Sequence, residues 1–411
     1  MIRAEKMILR KTPEVAKWLE EVTAIYNQGL YYYRQELFQA RKENRKPDYS
    51  KIKLYDILKD MDCWKLATVD HPSKTAALRK VKDNWTSFYR ACKAYWKDKG
   101  KFTGMPKPPK YLKNGKTAPL VFDKSRLHHR DFENHTLCFP KSKRRITIPK
   151  HVDMGKIRCI TVVSYYGKVK LFISYDKETT ASRLNRDNCV GIDIGVDNIV
   201  AITANNQKKS WIVKGGCVKS INQFYNKETA RLKSILETVN KTKTSKRLQR
   251  MYMKRNQKLD YELHCISRKV IDLCLENDIG RIIIGHNNGW KQNSSLGRNT
   301  NQKFVQIPFN DLIWKIQYKA EENGIECVVV EESYTSKTDH MCGEEMVHHD
   351  SYSGKRIQRG LFRSSCGRVL NADVNGAIGI LRKANALPDG GVAALRNRGD
   401  VVSPVVLKYK P

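Results

Sequence analysis

The 411-residue chain carries 77 Lys and Arg against 42 Asp and Glu, a formal net charge of +35, and is 40% hydrophobic. That length and apolar content support two or three domains with at least one sizeable core and exclude a largely unfolded chain. The charge predicts a polyanionic partner, because each neutralised phosphate releases condensed counterions, and the lack of any run of about 18 apolar residues favours nucleic acid over membrane.

The N-terminal half is basic and aromatic. Thr12-Pro13 opens a helix, a capping hydroxyl followed by proline in the first turn. Val15, Trp18, Leu19, Val22, Ile25, Tyr26 and Leu30 continue it at helical spacing. Leu78, Val81, Trp85, Phe88, Tyr89, Cys92 and Trp96 mark a second long helix. These aromatic stripes read as core, with the interspersed Lys and Arg on the opposite face able to follow a phosphate backbone. Residues 104–116 (GMPKPPKYLKNGK) hold three prolines and two glycines, so they read as a basic connector, presenting Lys107 and Lys110. Strand-like pieces follow at 120–122, 145–148, 159–164 and 169–174, as in a small β-barrel or sheet. The run 141–150 (KSKRRITIPK) sets Arg144 and Arg145 beside one strand as phosphate contacts.

Composition shifts near Arg183. Residues 188–202 read as two strands around a tight turn and 211–213 as a third. A long helical stretch, 229–276, is basic between 241 and 258, where Lys246, Arg247, Arg250, Lys254 and Arg255 are candidates to hold a nucleic-acid backbone. Residues 282–284 and 325–330 read as buried strands, 310–323 and 372–385 as helices, and 396–411 as a loosely held or extended tail. Three strands, then alternating strand and helix, then a closing helix is the order of an RNase H-like α/β fold. The eleven cysteines are odd in number and none is paired at CxxC spacing, which predicts a reducing compartment. With no signal peptide opening the chain, the expected location is a prokaryotic cytoplasm, at the nucleoid.

Gly191-Ile192-Asp193-Ile194-Gly195 places an acid in an apolar strand, where a buried carboxylate requires a cation. Actin-like and sugar-kinase ATPases use a similar strand, but they need further glycine-rich nucleotide loops and a different charge balance. Asn371-Ala-Asp-Val-Asn-Gly-Ala377 opens the last helix, with Asp373 in the first turn near the positive end of the dipole. Small residues there allow close packing on a sheet and bring Asp373 towards Asp193. Two Mg²⁺ ions at one sheet edge call for a third carboxylate. The strand ending at Ile284-Gly285-His286 carries none. The next strand ends in Glu331-Glu332, either of which is long enough to reach across Gly285, and both of which also suit an ordinary strand end.

GIDIG around Asp193, 284–291 (IGHNNGWK), 301–308 (NQKFVQIP), 331–337 (EESYTSK), 353–360 (SGKRIQRG) and 371–376 (NADVNG) together resemble TnpB, the transposon-encoded nucleases ancestral to type V CRISPR effectors. The resemblance is strong over 189–384 and loose in the N-terminal half, through GMPKPPK and ITIPK. It implies an RNA-guided endonuclease that cuts both strands of double-stranded DNA beside a short flanking motif, using one RuvC-like site and two Mg²⁺ ions. Asp193 matches the first catalytic acid and Asp373 the last. The usual glutamate would fall at Gly285 and is missing. A subset, including the eukaryotic Fanzor relatives, carries it three residues before Thr-Ser-Lys, which is Glu332 here, with Glu331 the alternative. Lys291 joins the expected nucleic-acid contacts.

The family insert usually holds two CxxC pairs. Here only Cys342 and Cys366 remain, with His348 and His349 between them, and the spacing fits no standard finger. Zinc is therefore not expected, and the insert is read as a metal-free lid. The resemblance implies a small β wedge domain (1–10 and 117–182), a helical recognition domain with the basic connector (11–116), and a RuvC-like nuclease domain (183–337 and 368–390). The degenerate zinc-finger-like insert (338–367) and a C-terminal tail (391–411) complete the layout. Guide RNA and target DNA are the expected partners, with no membrane, and the sequence sets no protein oligomer. The missing acid at Gly285 also motivates a rival, a guided DNA-binding protein that does not cut. A strand-transfer transposase of the same fold is a second.

Overall fold

In the computed structural model, the described residues are 1–411 apart from 114, 128–131, 141, 143–144, 180–182, 207–208, 240, 288, 290–296, 388–397 and 410–411, and apart from the side chains of 298–299. Arg144 and Lys291 lie outside the described set. The chain divides into two units, Met1–Lys177 and Glu178–Pro411.

In the first unit, Thr12 Oγ1 accepts the Val15 amide at 3.3 Å and Pro13 occupies the first turn of helix α1 (Pro13–Lys42). Short helices α2 (Leu54–Leu58) and α3 (Asp62–Lys65) lead to the long α4 (His71–Lys97). Trp18, Tyr26, Trp85 and Phe88 are buried, so the aromatic stripe is core. Tyr89 and Trp96, on the same helix, emerge to solvent. An antiparallel sheet is built from β1 (Ile2–Arg10), β2 (Leu120–Asp123), β5 (Ile157–Tyr165) and β6 (Lys168–Asp176) in the order β1-β6-β5-β2. A hairpin of β3 (Thr136–Cys138) and β4 (Arg145–Thr147) stands beside it. Helices and sheet share one core: the Trp18 and Phe122 rings meet edge-on at 6.0 Å, and Ser73 Oγ donates to Val121 O at 2.6 Å. The proline-rich connector is pinned along α1, with Arg34 donating to Pro109 O at 2.7 Å and Asn27 accepting the Leu112 amide at 2.9 Å. Lys107 and Lys110 are exposed on it, and Arg145 is exposed on β4.

The second unit is organised on a six-stranded sheet. Its strands are β7 (Cys189–Asp193), β8 (Asn198–Ala204), β9 (Ser210–Lys214), β10 (Arg281–Gly285), β11 (Glu326–Val330) and β15 (Val405–Val406), in the order β11-β10-β7-β8-β9-β15. β7, β10 and β11 run parallel, while β8 is antiparallel to both neighbours. The helices are α5 (Gly216–Thr238), α6 (Lys246–Glu276), α7 (Arg298–Gln306), α8 (Phe309–Glu322) and α9 (Ala372–Lys383). Side-chain alternation assigns the two faces. Val190, Ile192, Ile282 and Ile284 pack with Leu263 and Ile266 of α6 and Ile316 of α8, whereas Cys189 and Ile283 pack with Ile380 and Leu381 of α9. A three-stranded sheet of β12 (Lys355–Gln358), β13 (Leu361–Arg363) and β14 (Val369–Asn371) leads into α9.

Three expectations are corrected. The stretch 229–276 is two helices, because Thr242, Thr244 and Ser245 are poor helix formers and Ser245 Oγ caps the second by accepting the Leu248 amide at 3.2 Å. The strand at 325–330 is not buried but lies at the sheet edge, with Val329 partly exposed. The tail is docked. Val405 and Val406 pair with Trp211 and Ile212, covering what would be an open edge, and Asp400 takes the Ser210 amide and an ion pair from Arg398.

Candidate active site

Asp193 ends β7 on the face covered by α9. A Cβ at Gly376 would sit 2.7 Å from Asp193 Oδ2, so the absence of a side chain there lets the first turn of α9 close on this carboxylate. That turn is set by Asn371, whose Oδ1 accepts the Asp373 amide at 3.0 Å and the Val374 amide at 3.3 Å. Asp373 is held in turn by Asn198 at the start of β8, which donates to Asp373 Oδ2 at 2.7 Å. The Asn198 Oδ1 is buried with no partner among the described residues.

The parallel register of β10 and β11 brings Gly285 opposite Val330, just before the two glutamates. They diverge. Glu331 is exposed and accepts Ser333 Oγ at 2.6 Å. Glu332 turns inward, its amide fixed by Asn287 Oδ1 at 2.9 Å, and its carbonyl anchors the Thr335 hydroxyl at 2.8 Å. Glu332 Oε2 lies 3.2 Å from where a Gly285 Cβ would be, in the space that the missing side chain leaves.

Burial, then the Asp373 and Glu332 carboxylates, hold the Asp193 carboxyl well above its ordinary range, and Arg356 on β12 opposes them. Burial pushes Glu332 up to about 7, with Lys383 pulling it back. The cluster is thus a concentration of acid whose charge the protein only partly offsets. Among the described residues, no three His, Cys, Asp or Glu side chains stand in an arrangement that closes on one ion. The donor set still suits a hard divalent cation: oxygen ligands, crowded like charges, and an orphaned amide oxygen beside them.

Sequence reasoning missed Asn198 and Arg356. Asn198 gave no signal, since its role appears only across 175 residues of sequence separation. Arg356 lay within the noted SGKRIQRG segment, where only its basic character was visible. The same hairpin is tied down by an ion pair from Arg359 to Asp197, which Lys219 also meets at 2.6 Å.

The four residues weighed for zinc are not brought together. Cys342 and Cys366 both approach Ser364 Oγ, at 3.1 and 3.3 Å. His348 instead packs on the Tyr334 ring, and His349 contacts Glu345 O at 2.9 Å. The knuckle is closed by Asp339, fully buried, which accepts both Ser364 Oγ and the Ser365 amide at 2.7 Å. Burial alone would raise that carboxyl, but the bonds from Ser365, Ser364 and Cys342 hold it below its ordinary value. His340 lies beneath, bonded to Thr335 O at 2.7 Å and to Arg382 at 2.9 Å.

Of the basic candidates, Lys246, Arg247, Arg250 and Lys254 are exposed on α6. Arg255 is committed elsewhere, donating to Asn222 Oδ1 and Gln306 O, both at 2.9 Å, and lying over the Tyr225 ring. It is an internal strut, a correction to its reading as a backbone contact.

Residues 172–291 match the OrfB_IS605 family, described as a probable transposase, and residues 309–380 match the Cas12f1-like TNB domain. A CRISPR-associated endodeoxyribonuclease Cas12f2 of Micrarchaeota archaeon (strain CG1_02_47_40) is 27% identical over 243 residues, 55% of this chain and 42% of its own length. The chain therefore spans less than half of that relative. A TnpB-like protein ORF457 of Acidianus two-tailed virus is 22% identical over 395 residues, 88% of this chain and 81% of the viral protein. Among solved structures, a Cas12f1-sgRNA-target DNA complex superposes with a TM-score of 0.55 at 16% identity, covering 92% of this chain and 82% of that one. That likeness shows the fold alone: an α/β domain with helical and further parts.

Proposed function

From the premise that the chain is a TnpB-type protein, carrying the OrfB_IS605 and Cas12f1-like TNB domains, we propose that it is an RNA-guided DNA endonuclease. In this reading it hydrolyses phosphodiester bonds in both strands of guide-matched DNA beside a short flanking motif. The observation that carries it is the convergence of Asp193, Glu332 and Asp373 on the α9 face of the sheet. These three residues would hold two Mg²⁺ ions, with Glu332 in the place that the Fanzor-like subset uses. Such ions, if bound there, would supply Lewis acidity towards the scissile phosphate and the attacking water. Asn198 orients Asp373. Arg356 supplies positive charge beside Asp193. Base pairing with the guide selects the sequence, while basic side chains such as Lys107, Lys110, Arg145 and Arg250 hold backbone.

The bare Gly285 favours one alternative, a guided binder without cleavage. A plasmid cleavage assay separates the two. The protein, purified with its co-expressed guide RNA, meets a matched target behind a randomised flank, with Mg²⁺ or EDTA. Cutting is expected only with RNA and Mg²⁺. Asp193→Ala and Glu332→Ala should bind without cutting, and Glu331→Ala should cut. Tight binding with no cleavage at any flank would replace the endonuclease with the binder.

A further inference from the structure

Three clefts, of about 450 to 520 Å³, adjoin one another along α6. The first is lined by Phe224 and Lys254 and shares Lys258 with the second. The second shares Tyr261 with the third, which runs on to Lys408 and Asp272. Shared walls make them one trough from Met251 to Asp272, about 30 Å long at the helical rise. Two rings project from it: Phe224 is 66% exposed and Tyr261 59% exposed.

The charges along the trough are of two kinds. Arg268 is paired with Asp272 at 2.8 Å and Lys269 with Glu276 at 3.9 Å. Lys254, Lys258 and Lys408 have no carboxylate within ion-pairing distance among the described residues. Arg255, fixed over Tyr225, stiffens the floor. Solvent-facing rings alternating with unneutralised lysines along a groove suit a single nucleic-acid strand. Every base has a π-face for stacking, and the lysines follow the phosphates. A duplex keeps its bases inside and leaves the rings unused.

The position of the trough selects which strand. The carboxylates lie on the sheet face covered by α9, whereas α6 packs on the opposite face through Leu263 and Ile266 and turns Tyr261 outward. A DNA strand to be cut must reach the carboxylate face. A guide need not. Resting on the RNA-guided reading above, we propose that this trough seats a single-stranded segment of the guide RNA. Phe224 and Tyr261 are its stacking steps, and Lys254, Lys258 and Lys408 its phosphate contacts.

The test uses the full chain and fluorescence anisotropy with a labelled uridine oligomer of about 15 nucleotides, a thymidine oligomer of equal length, and an RNA duplex. Phe224→Ala with Tyr261→Ala should weaken uridine-oligomer binding about ten-fold or more and leave the duplex unaffected. Phe224→Trp with Tyr261→Phe should keep wild-type affinity, and 4-thiouridine oligomers should crosslink to peptides of α5 and α6. Unchanged affinity in the alanine pair, with crosslinks elsewhere, sinks the trough and leaves RNA guidance standing. Equal preference for the thymidine oligomer overturns the assignment to RNA. A wild-type chain that binds no RNA oligomer removes both the trough and the guided reading.

Discussion

Asn198 illustrates how little of a site's support a motif records. It donates to Asp373 Oδ2 at 2.7 Å from the far side of the β7–β8 turn, whereas the helix cap at Asn371 holds the Asp373 amide and not its carboxylate. Asn198→Ala should lower cleavage about 10- to 100-fold with target binding intact, measured by single-turnover plasmid cleavage beside anisotropy. Gly285 argues a related point. A Cβ there would lie 2.5 Å from Ile380 Cδ1, so returning the glutamate to its usual family place overpacks the sheet–α9 interface. Gly285→Glu should cost about 1–3 kcal/mol by denaturant titration, and combined with Glu332→Ala it should not restore cutting. Asp193 and Asp373 were legible in the sequence because each sits in a short local pattern. The choice between Glu331 and Glu332 was not, since it depends on the β10–β11 register and the turn that follows. Arg356 was illegible for the same reason: its approach to Asp193 is a matter of packing.

At the scale of elements, α1, α4 and the closing helix α9 were readable from periodicity and capping residues, and these are also the elements whose local signals agree with their packing. The break between α5 and α6 was written in Ser245 but overridden by the helical pattern around it. The insert was readable only in outline. Its cysteine spacing fits no standard finger, and the hydrogen bonds by which Asp339 closes the knuckle are announced by no ligand spacing. Asp339→Ala, which strands those buried donors, should cost roughly 3 kcal/mol in thermal unfolding. His340 adds a pH signature. Burial lowers its pKa to about 4, with the Arg382 charge acting in the same direction and Thr335 O, Asp339 and Glu344 opposing. The unfolded chain takes a proton near the ordinary pKa of about 6.5, and the folded chain only near 4. Stability from this residue is therefore complete above the unfolded value and falls as pH drops through the window, by up to about 3 kcal/mol. His340→Gln should flatten that part of the stability–pH curve, and an unchanged curve would remove His340 as its source.

At the scale of the whole molecule, the net charge of +35 is the property that sequence reports directly and structure then distributes. Among the described residues no helix is long and apolar enough to cross a membrane, so this charge has no bilayer-spanning helix to flank there. Some of it is spent internally: Arg255 braces α5 to α7, Lys315 lies buried against Asp260 at 3.0 Å, and Arg398 secures the tail. Lys254 and Lys258 of α6 are different, because they are exposed and no carboxylate pairs with them among the described residues. Salt dependence can tell these populations apart. Each phosphate contact on a single strand contributes roughly 0.7 to the slope of log affinity against log salt. Lys254→Ala with Lys258→Ala should therefore reduce the slope for the uridine oligomer by about 1.4. Phe224→Ala should weaken binding while leaving the slope unchanged, because a stacked ring releases no counterion. If the aromatic and lysine variants instead change slope and affinity together, the rings and charges do not act as separate stacking and phosphate contacts, and the trough binds by bulk charge alone.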